Sequence, residues 1–196
     1  MYEITKAEMK IILTLVKSPE VEYNSNNLAK VVGITASGAL KILKRLEKEN
    51  ILVSRKVGKA GIYKINAEEK YARDHVALML AREKLYALPR VKVWINELKK
   101  IKNAQMIILF GSVLRKEDPG DIDVVFVTDK KRFKKLEEEI EKINKINLKR
   151  IHPLYQAFED IISNIKKEDK PLLSAMKGIV VTGEEKFVEV YHESCR

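Results

Sequence analysis

Two apolar runs constrain this chain most: Met106-Ile107-Ile108-Leu109-Phe110 and Ile122-Asp123-Val124-Val125-Phe126-Val127. Each has the length of one strand, and neither shows the three-and-four spacing of an amphipathic helix. Runs this apolar belong to strands covered on both faces, so the C-terminal half must fold around a layered sheet. A charged segment from about Lys131 to Asn144 reads as a helix. Leu148 to Leu154 reads as a third strand, and further helices complete the unit.

The loop between the two runs opens with Gly111-Ser112 and closes with Asp121-Ile122-Asp123. Residues two apart in a strand face one side, so Asp121 and Asp123 project together while Ile122, Val124 and Phe126 pack behind them. Two carboxylates on one face repel unless cations join them. A pair of Mg²⁺ ions, or Mn²⁺, suits that geometry, because hard cations take carboxylate oxygens and share their remaining sites with nucleotide phosphates. Gly111 lets the main chain approach a triphosphate with no Cβ in the way, and Ser112 can donate from its hydroxyl and backbone N–H. Arg115 and Lys116 add positive charge from the loop.

Apolar strand, Gly-Ser, a polar loop, Asp-Ile-Asp and a second apolar strand together resemble the minimal nucleotidyltransferases of the polymerase-beta-like superfamily. The specific match is confined to residues 107–127. The resemblance implies a metal site on Asp121 and Asp123, phosphate binding by Gly111 and Ser112, and adenylyl transfer from ATP with release of pyrophosphate. It also implies a third carboxylate on a later strand. Here that strand reads Leu148-Lys149-Arg150-Ile151-His152-Pro153-Leu154-Tyr155 and holds no acid. His152 can stand in as ligand or base, Glu159 or Asp160 can reach in from the next helix, or His152 is simply a partly buried strand histidine.

The first third of the chain has another character. Met9, Ile12, Leu13 and Val16 recur at helical spacing from Thr5 to about Val16, and a short helix fits Ser25 to Val32. Gly33 breaks that helix, and Thr35 can cap the next, which runs to about Glu49. Leu40, Ile42, Leu43 and Leu46 form its apolar stripe. Ile51–Val57 and Ile62–Ile65 then read as a hairpin joined through Gly58-Lys59-Ala60-Gly61. Ala67 to Leu88 reads as one helix, and Pro89 opens another running toward Ile101.

Helix, helix, turn, helix and hairpin resemble the winged helix-turn-helix domains of bacterial and archaeal transcription regulators, notably in Gly33-Ile34-Thr35 to Arg45-Leu46-Glu47. Residues 1–70 hold 13 Lys and Arg against 8 Glu and no Asp. Lys41, Lys44, Arg45 and Lys48 on the third helix, with Arg55, Lys56 and Lys59 on the hairpin, offer one basic surface to the phosphates of duplex DNA. The resemblance places Ser37, Lys41 and Arg45 in the groove.

The fold class expected is therefore α+β: a winged helix over 1–66, a helical connector over 67–102, and a nucleotidyltransferase-like domain with a small mixed sheet and flanking helices over 103–196. Three functions stay open. One is a metal-dependent nucleotidyltransferase held on nucleic acid. Another is a transcription regulator whose degraded domain senses nucleotide or only dimerises. The third is an antitoxin-like modifier of a small helical protein. A homodimer is expected from the half-site logic of winged helices and the apolar surface of the connector. A net charge of +10 suits polyanionic partners. One cysteine, Cys195, excludes an internal disulfide. The start Met1-Tyr2-Glu3-Ile4-Thr5-Lys6 has no leader character, and no apolar run approaches membrane-spanning length, so a cytoplasmic protein is expected.

Overall fold

The structure is a computed structural model in which residues 4–196 are described; Met1, Tyr2 and Glu3, the first of the residues read for a leader, lie outside them. The fold is α+β with two small sheets. Helix α1 (Lys6–Lys17) begins where the Thr5 hydroxyl accepts from the Glu8 N–H. Helix α2 (Ser25–Val32) carries a reciprocal cap between Asn24 and Asn27 and ends at Gly33, whose φ of 78° suits a residue without Cβ. Helix α3 (Ala36–Lys48) is capped by Thr35, which accepts from Gly38 N–H at 3.1 Å.

The buried stripe of α3 is Ala39, Leu43 and Leu46, and Leu40, expected inside, is 42% exposed. At about 100° per residue, Leu40 lies off the stripe that Ala39 centres. Strands β1 (Leu52–Val57) and β2 (Ala60–Ile65) pair from Leu52↔Ile65 to Val57↔Ala60. The connection is thus Gly58-Lys59 alone, shorter than the four residues expected, because Ala60 and Gly61 continue the ladder. Gly58 takes φ 58°, as a two-residue turn demands.

The helix expected over Ala67–Leu88 is shorter, α4 (Lys70–Glu83), and is continued by a 3-10 turn at Lys84–Tyr86. Arg73 Nη1 binds the Ala67 and Glu68 carbonyls and holds the turn ahead of α4. At the other end Leu88 precedes proline, which disfavours helical backbone there. Helix α5 (Pro89–Leu98) follows.

Strands β3 (Met106–Phe110), β4 (Ile122–Val127), β5 (Ile151–Gln156) and β6 (Ile179–Thr182) form one mixed sheet in the order β5-β4-β3-β6. Strand β3 runs antiparallel to β4 and β6, while β4 and β5 are parallel. Parallel neighbours need a crossover, supplied by α6 (Phe133–Ile146). Strand β5 starts three residues later than expected, because Leu148 is fully exposed and Ile151 is the first residue to pair, opposite Ile122. Strand β6 has no counterpart among the elements expected from sequence. Helices α7 (Phe158–Lys166), α8 (Lys170–Met176) and α9 (Glu184–Cys195) complete the chain.

Both faces of the sheet are covered. Ile107, Leu109, Val124 and Phe126 pack with Leu136, Ile140 and Ile143 of α6. Met106, Ile108, Val125 and Val127 belong to a larger apolar cluster that includes Ile11 and Ile12 of α1, Met79 of α4 and Phe187 of α9. That cluster runs across residues 66 and 102. A buried polar contact accompanies it: Lys17 Nζ meets Glu83 Oε1 at 2.7 Å and donates to the Gly178 carbonyl at 2.5 Å. Burial presses this ammonium below the usual lysine range, and Glu83 opposes the shift. One side chain thus joins the end of α1, the end of α4 and the turn before β6.

Candidate functional site

The end of β3 and the starts of β4, β5 and β6 meet at one edge of the sheet. Gly111 leaves β3 with φ 80°, and a Cβ built there would lie 2.1 Å from Asp123 Oδ2. The position therefore excludes a side chain twice over, by backbone conformation and by the carboxylate against it. A 3-10 turn, Gly111–Leu114, follows, and the Ser112 carbonyl accepts from Arg115 N–H at 3.0 Å and Lys116 N–H at 2.8 Å. Asp118 meets Lys149 Nζ at 2.7 Å, which holds its carboxyl below the ordinary range and ties the loop to the segment before β5.

Asp121 is exposed and Asp123 half-buried at the start of β4. Parallel pairing sets His152 opposite Asp123, and His152 Nδ1 lies 3.2 Å from Asp123 Oδ1. A carboxylate oxygen accepts here, so Nδ1–H is the donor, and in the neutral form of the ring Nε2 is then the acceptor. The imidazole is 74% exposed, unlike the partly buried strand histidine considered from sequence. Glu159 and Asp160 do not complete the site. They sit in the first turn of α7, beyond the opposite end of β5. Four residues of strand, roughly 13 Å, separate that end from His152.

Two carboxylates and an imidazole are the donors present. Among the described residues no group of three or more His, Cys, Asp and Glu is arranged to hold a metal ion. Mg²⁺ is often held by one or two carboxylates, with phosphate and water filling its other positions. Among the described residues no contact joins Asp121 to Asp123, so the metal pair expected from sequence rests on their spacing alone. Gly111, which abuts Asp123, also lines a cleft of about 280 Å³ with Arg115, Ser174, Lys177 and Gly178, and neither carboxylate lines it. Ser174 and Lys177 come from α8 and the residue that ends it, a segment with no recognisable motif. Lys116 is exposed on the same loop.

The basic surface of the N-terminal region divides in two. Ser37, Lys41, Lys44, Arg55, Lys56 and Lys59 are exposed on α3 and the hairpin. Lys44 meets Glu47 at 2.9 Å, and Arg55 pairs with Glu22, so two of these charges are partly neutralised within the chain. Arg45, expected in the groove, turns inward: its Nη2 lies 2.6 Å from Oε2 of Glu8, whose side chain is 2% exposed. Breaking a pair with a buried carboxylate is costly, so Arg45 is held against Glu8 rather than free at the surface as expected. Leu40, assigned to the core from its apolarity, is instead an exposed apolar group on α3.

Fold and site together define an α+β protein that carries a basic three-helix-and-hairpin region and an acidic sheet edge with a glycine turn. A family model matches residues 53–191, and the chain belongs to that family, DUF6932, described as a family of unknown function. The match begins in the hairpin and runs to α9. No curated protein matches the chain. Among solved structures, that of a mutant of ZitR from Lactococcus lactis is similar at 14% identity and a TM-score of 0.34, over 51% of this chain. The chain spans 64% of that structure's length. A likeness at this level defines neither fold nor ligand.

Proposed function

We propose that the chain is a metal-dependent nucleotidyltransferase that transfers an adenylyl group from ATP to a hydroxyl acceptor while its basic N-terminal surface holds nucleic acid. The observation that carries this reading is the Gly111 turn set against Asp123. A positive-φ glycine after an apolar strand lets the Asp123 carboxylate lie against the main chain, two residues from Asp121, and its turn offers backbone N–H groups to phosphate. Backbone and hydroxyl of Ser112 donate to phosphate oxygens, and Arg115 and Lys177 supply charge from the sides of the cleft. When bound, Mg²⁺ or Mn²⁺ on Asp121 and Asp123 neutralises phosphate charge.

His152 replaces the missing acid. With Nδ1–H held by Asp123, Nε2 takes the proton of the acceptor hydroxyl as its oxygen bonds to the α-phosphorus. The bond from that phosphorus to the bridging oxygen breaks, and pyrophosphate leaves. Equilibrium titration of labelled ATP with Mg²⁺ or Mn²⁺ tests the site first. Wild type binds, and the Asp121→Asn, Asp123→Asn double variant does not; equal binding by both removes the reading. Turnover that is lost in His152→Asn, with binding retained, assigns the base.

A second reading is a regulator that senses nucleotide at this edge and alters DNA affinity. It is favoured by the Lys17 contact, which links the end of α1 to the Gly178 carbonyl in a residue that also lines the cleft. ATP binding without turnover, together with an ATP-dependent change in DNA affinity, selects it. For either function we place the protein in the cytoplasm, where the exposed thiol of Cys195 stays reduced. Among the described residues no helix is long and apolar enough to cross a membrane.

A further inference from the structure

Helix α4 has two unlike faces. Ala72, Val76, Met79 and Leu80 are buried, and the helix packs on α1 and α9. On the other side Tyr71, Leu78 and Leu85, the last on the 3-10 turn that continues the helix, are 60%, 49% and 67% exposed. At about 100° per residue, three positions seven apart fall within a stripe roughly 40° wide. Asp74 and Arg82 lie on the same face. Spacing by sevens is the pattern by which a helix meets another helix, and exposed apolar stripes of this kind mark interaction surfaces.

The face is also complementary to itself. Tyr71 and Leu85 lie seven residues either side of Leu78, and Asp74 and Arg82 lie four residues either side. Turning a second copy end for end about Leu78 therefore sets like against its mate: Leu78 on the partner's Leu78, Tyr71 on the partner's Leu85, and Asp74 opposite the partner's Arg82. Each chain presents one acid and one base, so both charge pairs form at once. Among the described residues Asp74 meets Lys70, in an exposed pair of the kind that contributes little, while half-buried Arg82 acts on the buried Glu8 carboxyl. A two-fold interface requires one patch to satisfy itself in this way.

We propose that this face joins two copies of the chain, antiparallel through α4, with the two-fold axis at Leu78. The occupant is a second copy because apolar and charged positions are spaced evenly about one residue, Leu78, through which a two-fold axis can pass. An unrelated helix would match the apolar stripe without calling for an acid and a base equally spaced about its middle residue. A cleft of about 450 Å³ beside the stripe, lined in part by Glu8, Asp74, His75 and Leu78, comes under the partner in this arrangement. The proposal is independent of the nucleotide reading.

Sedimentation of the full chain at about 100 μM is the first test, since an interface this small is of the weak class. A dimer is expected, and Leu78→Glu weakens it about tenfold or more while leaving the melting temperature unchanged. The second test fixes the axis. In a Cys195→Ser background, Leu78→Cys chains join to one another through a short thiol-reactive cross-linker. Tyr71→Cys chains alone and Leu85→Cys chains alone do not, but a mixture of the two does. Asp74→Arg weakens association, and adding Arg82→Asp on the same chain restores it. A monomeric wild type overturns the proposal, as does a dimer indifferent to Leu78→Glu. Cross-linking of Tyr71→Cys chains to themselves as readily as Leu78→Cys chains overturns the axis.

Discussion

On α3 and its hairpin, the chain surrounds several of its positive charges with its own acids. Arg45 meets Glu8, Lys44 meets Glu47, and Arg55 meets Glu22. At the sheet edge, Asp121 stands exposed, and Asp123 meets a single imidazole. The basic surface is thus broad and internally buffered. The acidic edge is narrow and built around a glycine that cannot be replaced. The first is set by the number of its charges, the second by their placement.

The hinge between the two regions is the largest target. Replacing Glu83 with Ala leaves the Lys17 ammonium buried without its carboxylate, which costs roughly 3–5 kcal/mol in chemical unfolding, because stranded buried charges are destabilising on that scale. An unchanged unfolding curve breaks the idea that the regions are fastened there. Gly111→Ala comes next: the added Cβ displaces Asp123, and on the proposed function ATP turnover falls on the order of 100-fold, as ångström-scale misplacements do. Loss of nucleic-acid binding instead would merge the two sites.

Arg45→Ala and Lys41→Ala sharpen the comparison within the basic surface. Lys41→Ala lowers the slope of log affinity against log salt by about 1 and leaves stability alone. Arg45→Ala lowers stability by about 1–3 kcal/mol, by unpairing a buried acid, and leaves the slope nearly unchanged. The reverse pattern returns Arg45 to the groove.

The smallest effect is on pH. Burial is the main cause that lowers the His75 pKa from its ordinary 6.5, with nearby Arg45 adding to it and Glu49 opposing. On acidification the unfolded chain takes up this proton before the folded one, so the stability is present above about pH 6.5 and is lost as pH falls through the window beneath it. His75→Gln flattens that part of the stability profile. Glu8, whose Oε1 lies 3.9 Å from His75 Nε2, shifts the opposite way, raised chiefly by burial, so the difference between the two profiles reports the pair.

Much of the local structure was legible. Asn24, Thr35 and Gly33 fix the ends of α2 and α3 through bonds made within a few residues, and Met106–Phe110 and Ile122–Val127 could only be buried strands. Leu40 misled because its apolarity says nothing of which side of α3 the small Ala39 turns inward. Strand β6 went unseen because four residues, Ile179-Val180-Val181-Thr182, look no different in a buried helix. Ser174 and Lys177 had no motif to betray them. They reach the cleft because Gly178 packs directly on the end of β3, where a Cβ would lie 2.4 Å from the Leu109 carbonyl.

The sequence by itself determined the two apolar strands, the helix ends at Gly33 and Thr35 and the acidic pair, since apolar runs, caps and a glycine turn act over neighbours in the chain. Only the tertiary structure decided which groups complete them. His152 meets Asp123 because β5 lies parallel to β4 in one register, across 29 residues of chain. Arg45 turns inward because α1 brings a buried Glu8 beneath it. Desolvation makes such partners mandatory, and folding alone brings them within reach.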